Sequence, residues 1–273
     1  MSTFVPFTSG YVALCAVQAL TVLGPRPSPR LIRSTVLGLI PLVGIGGVAL
    51  LLAEQPDLAQ HATDLAAVAT PIAAFGGIFA FRGRLHLLGL LAPVLYLIAW
   101  KGDGRPVQIA TDALIAGATI TLAWLTGMVA PRIGLIIGIF AATAVDVYQV
   151  LVTTEVKQAS QALAAAQPSA GLPRLQELVW GTASMGWGDA YLAALLGIVI
   201  ATSALRIRLL AAGTVFVLGV ACGFLFHVID IVPATVPVAG ALALVLVLDA
   251  TVPASQGGTS SWLRRRRAAT SGS

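Results

Sequence analysis

The chain has 273 residues, of which 58% are hydrophobic and only 10% are charged, and its formal net charge is +5. A soluble domain carries about 25% charged residues, so this chain has too few charges to cover a water-facing surface. The composition excludes a cytosolic enzyme, a secreted disulfide scaffold and a nucleic-acid binder of the usual basic, polar type. We expect an all-α, polytopic membrane protein whose main solvent is the lipid bilayer.

Nine apolar segments are predicted to cross the membrane, because each approaches the length of about 20 residues that a helical span needs. In chain order they are 4–24, 34–53, 63–81, 85–100, 107–130, 133–153, 179–202, 209–229 and 232–252. The predicted organisation is a nine-helix transmembrane domain over residues 1–253 and a disordered, arginine-rich cytoplasmic tail over residues 254–273.

The basic residues predict an orientation, because Lys and Arg concentrate in cytoplasmic loops. Most of them follow odd-numbered spans: Arg26, Arg30, Arg33, Arg82, Arg84, Arg132, Arg206, Arg208 and Arg264 to Arg267. We therefore expect the N-terminus outside and the C-terminus in the cytoplasm. The arginines of the tail are expected to bind anionic lipid, not nucleic acid.

The cysteines and histidines give no sign of a metal site. Cys15 and Cys222 lie in apolar runs without a CxxC pair, so we expect two structural thiols and neither a disulfide nor a zinc site. His227 and Asp230 lie one helical turn apart near the end of the eighth span, where both are expected to be solvated.

Two of the eleven acidic residues are predicted to lie deep in the membrane. Asp146 lies well inside the sixth span and Asp189 about ten residues into the seventh, without a Lys or Arg in either span. A carboxylate at such depth costs at least about 2.5–3.5 kcal/mol. The other acids fall in loops or near span ends, and among them Asp64, Asp112 and Asp249 are expected to be solvated.

The two buried acids form a candidate catalytic pair, because consecutive spans are antiparallel and bring them to similar depth. Two neighbouring carboxyls cannot both ionise cheaply, so one is expected to hold a proton while the other accepts one from water. Gly186 and Gly188, which flank Trp187, leave room for a peptide beside Asp189. The alternative is a small-residue packing site in which Asp189 only hydrogen-bonds a neighbouring helix.

This pattern resembles the presenilin and signal peptide peptidase family of GxGD intramembrane aspartyl proteases. Gly186-Trp187-Gly188-Asp189 is similar to the family's GxGD motif, and Asp146 matches its first aspartate. Pro233-Ala234-Thr235 stands where the family has Pro-Ala-Leu. Two departures concern Val145, where the family has Tyr, and Thr235, where it has Leu.

The resemblance implies a prokaryotic protease of the bacterial or archaeal cell membrane that hydrolyses transmembrane segments and needs no metal or organic cofactor. With the N-terminus outside, the substrates would be signal-peptide-like spans of type II orientation. Asp146 and Asp189 would be catalytic. The implied substrate-binding residues are Gly186, Trp187, Gly188, Tyr148, Pro233, Ala234 and Thr235.

Pro233 and Pro237 interrupt helical pairing near the start of the ninth span. They are expected to leave backbone groups free to bind an extended peptide. The alternative is a helix N-terminus followed by a kink.

Three other classes of function stay open. A prepilin-type GxGD peptidase is one, although Tyr191 stands where those enzymes usually carry a basic residue. A proton-coupled transporter or channel could use Asp146 and Asp189 as protonation sites, and in a scaffold protein they would only pair helices. Transmembrane peptides and lipid are the expected partners, no nucleic acid is expected, and the oligomeric state is left open.

Overall fold

The computed structural model describes residues 9–25, 34–80, 89–153, 155–227 and 232–251. This part of the chain is mostly helical, as the all-α prediction requires, with one added β-hairpin. The helices are α1 (Ser9–Thr21), α2 (Ile40–Leu42), α3 (Val48–Glu54), α4 (Leu58–Phe75), α5 (Gly77–Ala80), α6 (Ala92–Lys101), α7 (Arg105–Val129), α8 (Arg132–Leu151), α9 (Glu155–Ala165), α10 (Trp187–Val199), α11 (Leu205–Gly223) and α12 (Val236–Thr251), and the strands are β1 (Glu177–Trp180) and β2 (Ala183–Gly186).

Three of the described helices, α7, α8 and α11, are long and apolar enough to cross a membrane. Shorter apolar helices lie at Ser9–Thr21, Gly89–Lys101, Trp187–Val199 and Val236–Ala250. Large apolar side chains such as Ile72, Val217 and Val247 are exposed on the outside of the molecule. These features indicate a membrane protein, but the prediction of nine full spans is not supported.

The second predicted span is a broken segment and not one helix. It consists of a 3₁₀ turn (Thr35–Leu39), α2, a π-helical stretch (Val43–Gly47) and α3. Pro41 lacks a backbone N–H, and glycines at 44, 46 and 47 tolerate irregular backbone, so a regular α-helix is not favoured here.

The first third of the predicted seventh span belongs to a β-hairpin. The strands are antiparallel, with Glu177 opposite Gly186 and Trp180 opposite Ala183. The two-residue turn begins at Gly181, whose φ of 64° lies in the left-handed region that glycine adopts readily. Leu178 and Met185 are buried beneath the hairpin. The helix that carries Asp189 therefore begins only at Trp187.

Helix α10 is at the centre of the molecule. Ten consecutive residues, from Ala190 to Val199, are buried, and the helix packs against α1, α7 and α8. A helix that is buried on all sides must be apolar throughout, as this one is after Asp189. Gly197 allows close approach to the backbone of Val22, which follows α1. Asp189 thus lies at the start of a helix whose next ten residues are all buried.

Glycines also set the position of α8. Gly134 and Gly138 lie against the backbone of Gly38 in the 3₁₀ turn, and a Cβ at any of these three positions would meet backbone atoms. Small residues that allow such close contact are typical of membrane helix interfaces. The close packing fixes α8, the helix that carries Asp146.

Polar contacts gather at one end of the bundle. Arg132, at the start of α8, forms an ion pair with Asp249 of α12 over 2.9 Å. Arg208, near the start of α11, donates to the carbonyl oxygen of Gly24. The predicted topology assigns this end to the cytoplasm. The predicted tail, residues 254–273, lies outside the described residues, as do Asp230, Arg82 and Arg84.

Candidate functional site

A cavity of about 900 Å³ lies between α8, α9, the hairpin and the start of α10. Asp146 and Asp189 both line it. Apolar residues of α3 and α9 form much of the opposite wall, including Val48, Leu52 and Leu163. The two acids that the sequence singles out therefore line the same cavity, although they come from different helices.

Asp146 projects from the C-terminal half of α8 and is 7% exposed. Thr235 donates its hydroxyl to Asp146 Oδ2 over 2.6 Å. This contact fixes the position of the carboxyl.

Asp189 lies in the first turn of α10 and not ten residues into a span, because the preceding residues form the hairpin. Its carboxyl lies beside Gly186, the N-cap residue of the helix. An acid at this position commonly reaches back towards the N-cap.

The GxGD residues surround the Asp189 carboxyl. A Cβ on Gly186 would lie 3.1 Å from Asp189 Oδ2, so glycine leaves the space that the carboxyl needs. Trp187 stacks on Tyr191, with 5.6 Å between ring centroids. Gly186, Trp187 and Gly188 all line the cavity, which is where a substrate-binding role requires them.

The segment 232–235 closes the cavity beside Asp146. Ala234 lines the cavity, Pro233 is buried and Thr235 is fully buried. The expectation of free backbone carbonyls here is not met: Pro233 accepts from the N–H of Val236, Ala234 from Gln18, and Thr235 from Val238 and Ala239. Pro237 is the second residue of α12, where proline is compatible with a helix start.

Tyr148 lies away from this site. Its side chain is 56% exposed and does not line the cavity. Successive residues of an α-helix are about 100° apart, so a side chain two positions after Asp146 points to nearly the opposite face. The structure therefore does not bring Tyr148 together with the other predicted substrate-binding residues.

Asp112 is buried, so the prediction that it is solvated is wrong. It is 3% exposed on α7, and its Oδ1 accepts the backbone N–H of Val179 over 2.9 Å. The contact covers the outer edge of β1. Asp112 therefore anchors the hairpin against α7.

Gln18 of α1 is a site residue that sequence reasoning missed. It is 1% exposed, and its Nε2 donates to the backbone oxygens of Asp189 (3.3 Å) and Ala234 (3.0 Å). A single glutamine in an apolar span is a detectable signal, because a buried amide needs partners. Tyr11, also of α1, lines the cavity as well.

Among the described residues, no three His, Cys, Asp or Glu side chains lie close enough to hold a metal ion. Cys15 is a buried free thiol and Cys222 is a partly buried one.

The site is thus assembled from α1, α8, α10 and the segment before α12. No protein-family model matches the chain, and neither curated proteins nor solved structures give a match.

Proposed function

We propose that this chain is an intramembrane aspartyl endopeptidase that hydrolyses peptide bonds in transmembrane segments. The observation that carries the proposal is that Asp146 and Asp189, from two different helices, line the same cavity. The resemblance to the GxGD proteases supports the same assignment through Gly186-Trp187-Gly188-Asp189. Thr235 departs from the family's third motif, but its hydroxyl binds Asp146.

The chemistry needs only the two acids and a water molecule. One carboxylate takes a proton from the water as its oxygen attacks the scissile carbonyl carbon, and the other carboxyl donates its proton to the carbonyl oxygen. The tetrahedral intermediate collapses when the first acid passes its new proton to the peptide nitrogen, the second acid takes a proton from a hydroxyl of the intermediate, and the C–N bond breaks. Both acids then return to their starting protonation states.

The hairpin offers a place for the unwound substrate. A transmembrane helix must open before its backbone can be cleaved, and the freed polar groups need partners that lipid does not supply. Residues 182–186, which include all of β2, line the cavity. The outer edge of β1 is occupied by Asp112 and α7, so β2 is the strand to which an extended peptide can pair.

The substrates follow from the predicted topology. With the N-terminus outside, the enzyme would act in a bacterial or archaeal cell membrane on type II spans, such as residual signal peptides. Val48, Leu52 and Leu163 give the cavity an apolar wall, which suits the side chains of such segments.

The test is to incubate the protein, reconstituted in lipid vesicles, with a synthetic type II span and to identify products by mass spectrometry. We expect two fragments whose junction lies within the apolar stretch, and no fragments with Asp146→Asn or Asp189→Asn. Asp249→Asn is the matched control, because Asp249 is exposed and lies at the opposite end of α12 from Thr235. Cleavage by wild type that persists in either site variant would contradict the proposal.

A prepilin-type GxGD peptidase is the second candidate. The observation that favours it is the position of Asp189 in the first turn of α10, directly after a hairpin. An acid at this level can be reached by a peptide bond just outside the apolar stretch. Two peptides with the scissile region inside or immediately flanking the span separate the candidates: preference for the flanking position would favour the prepilin-type reaction.

A further inference from the structure

Gln18 lies between the GxGD segment, residues 186–189, and the segment 232–235 of the candidate site. It projects from α1, a helix to which neither the GxGD motif nor the proline segment belongs, and it is almost fully buried. Its amide nitrogen donates to two backbone oxygens that are far apart in sequence, those of Asp189 and Ala234. The two hydrogens of one NH₂ group match these two acceptors.

Each of these two backbone oxygens belongs to the segment that holds one of the acids. The first is the backbone oxygen of Asp189 itself, in the first turn of α10. Ala234 directly precedes Thr235, which donates its hydroxyl to the Asp146 carboxyl. Gln18 therefore connects the backbone that carries Asp189 with the backbone that holds Asp146.

We infer that Gln18 is a positioning residue that sets the separation of the Asp146 and Asp189 carboxyls. The inference rests on the proposed aspartyl protease function and deepens it. A shared water needs both carboxyls at the correct distance, and small errors of placement lower catalysis strongly. Gln18 does not line the cavity, so in this proposal it acts through the two backbones that it binds.

A neighbouring contact provides a matched control. Thr21 lies one helical turn further along α1, is also buried, and donates its hydroxyl to the carbonyl oxygens of Gln18 and Ala190. The Thr21 hydroxyl therefore joins α1 to α10 at Ala190, and not at Asp189 or at the 232–235 segment. If Gln18 only held helices together, loss of the Thr21 hydroxyl would have a similar effect.

The experiment compares wild type, Gln18→Met and Thr21→Val for cleavage of the type II span. It also measures the affinity of a peptide in which a hydroxyethylene group, which mimics the tetrahedral intermediate, replaces the scissile bond. We expect Gln18→Met to lower kcat and the affinity for this mimic about tenfold each, as for loss of one to two hydrogen bonds. KM for the plain substrate should stay within twofold, and Thr21→Val should change kcat less than twofold.

Two results would overturn the inference: unchanged kcat and mimic affinity in Gln18→Met, or an equal loss in Thr21→Val. If Gln18→Met does not fold, Gln18→Asn carries the test, because its shorter amide cannot reach both carbonyls; its mimic affinity must also fall. Failure of the protease function gives a different result, namely cleavage that persists in Asp189→Asn or is absent from wild type.

Discussion

At the scale of single residues, Thr235 decides how the Asp146 carboxyl is held. Its hydroxyl donates to Asp146 Oδ2 in a fully buried position. A hydrogen bond to a charged group contributes about 1.5–3 kcal/mol. Where the Pro-Ala-Leu motif of the GxGD proteases has Leu, this chain has Thr235, and only Thr can donate a hydrogen bond to the acid.

Replacement of Thr235 by Val should remove this donor while keeping the shape of the side chain. We expect Thr235→Val to lower kcat about 10- to 100-fold, in line with loss of one hydrogen bond to a charged group. Thr235→Ser keeps the hydroxyl and should stay within about threefold of wild type. Steady-state cleavage kinetics measure both, and equal rates for the two variants would exclude this role of the hydroxyl.

Gly186 gives a second prediction at this scale. A Cβ at this position would lie 3.1 Å from Asp189 Oδ2, so Gly186→Ala should turn the carboxyl away and lower the cleavage rate at least about tenfold. Gly213→Ala on α11 is the control, because nothing lies within 4 Å of its added methyl group. Both variants should keep the wild-type Tm in detergent. A fully active Gly186→Ala would show that the glycine is not required for carboxyl placement.

At the scale of secondary-structure elements, the hairpin depends on Asp112. Asp112→Leu leaves the N–H of Val179 without its acceptor, which costs about 1–3 kcal/mol. Asp112→Asn keeps an acceptor oxygen and should be nearly neutral. Hydrogen exchange at residues 177–186 should be faster in the Leu variant only; equal protection in both variants would contradict an anchoring role.

The elements differ in how far the sequence predicts them. Helix α8 runs from Arg132 to Leu151, close to the predicted 133–153, because its apolar run has no internal proline. The sequence does not predict the hairpin, since its residues run on without a break into the apolar residues of α10 and its turn has only Gly181 as a signal. Because of the hairpin, Asp189 lies at the start of a helix, whereas the sequence predicts the middle of a span.

The site residues also differ in how far the sequence predicts them. Asp146 and Asp189 were identified because charge is scarce in an apolar chain, and the 233–235 segment was identified by resemblance. The position of Tyr148 required the phase of α8, and the role of Asp112 required the hairpin. Gln18 carries no charge, so it stands out less than an acid in an apolar run, although a buried amide also requires partners.

At the scale of the whole molecule, the arginines predict which end of the bundle faces the cytoplasm. With Cys15 and Cys222 replaced by Ala, a membrane-impermeant thiol reagent should label Ser2→Cys in intact cells. Ser261→Cys should be labelled only after permeabilisation, because the tail is predicted to be cytoplasmic. The reverse pattern would contradict the topology and the type II orientation of the substrates.

The central claim is that Asp146 and Asp189 act as one unit on one peptide bond. The most direct measurement is the single-turnover cleavage rate of a type II span by wild type, Asp146→Asn, Asp189→Asn and the double variant. We predict that each single variant loses at least about 10³-fold and that the double variant loses no more than either, since groups that act together are strongly non-additive. Losses that multiply in the double variant, or a single variant that retains substantial cleavage, would contradict the claim.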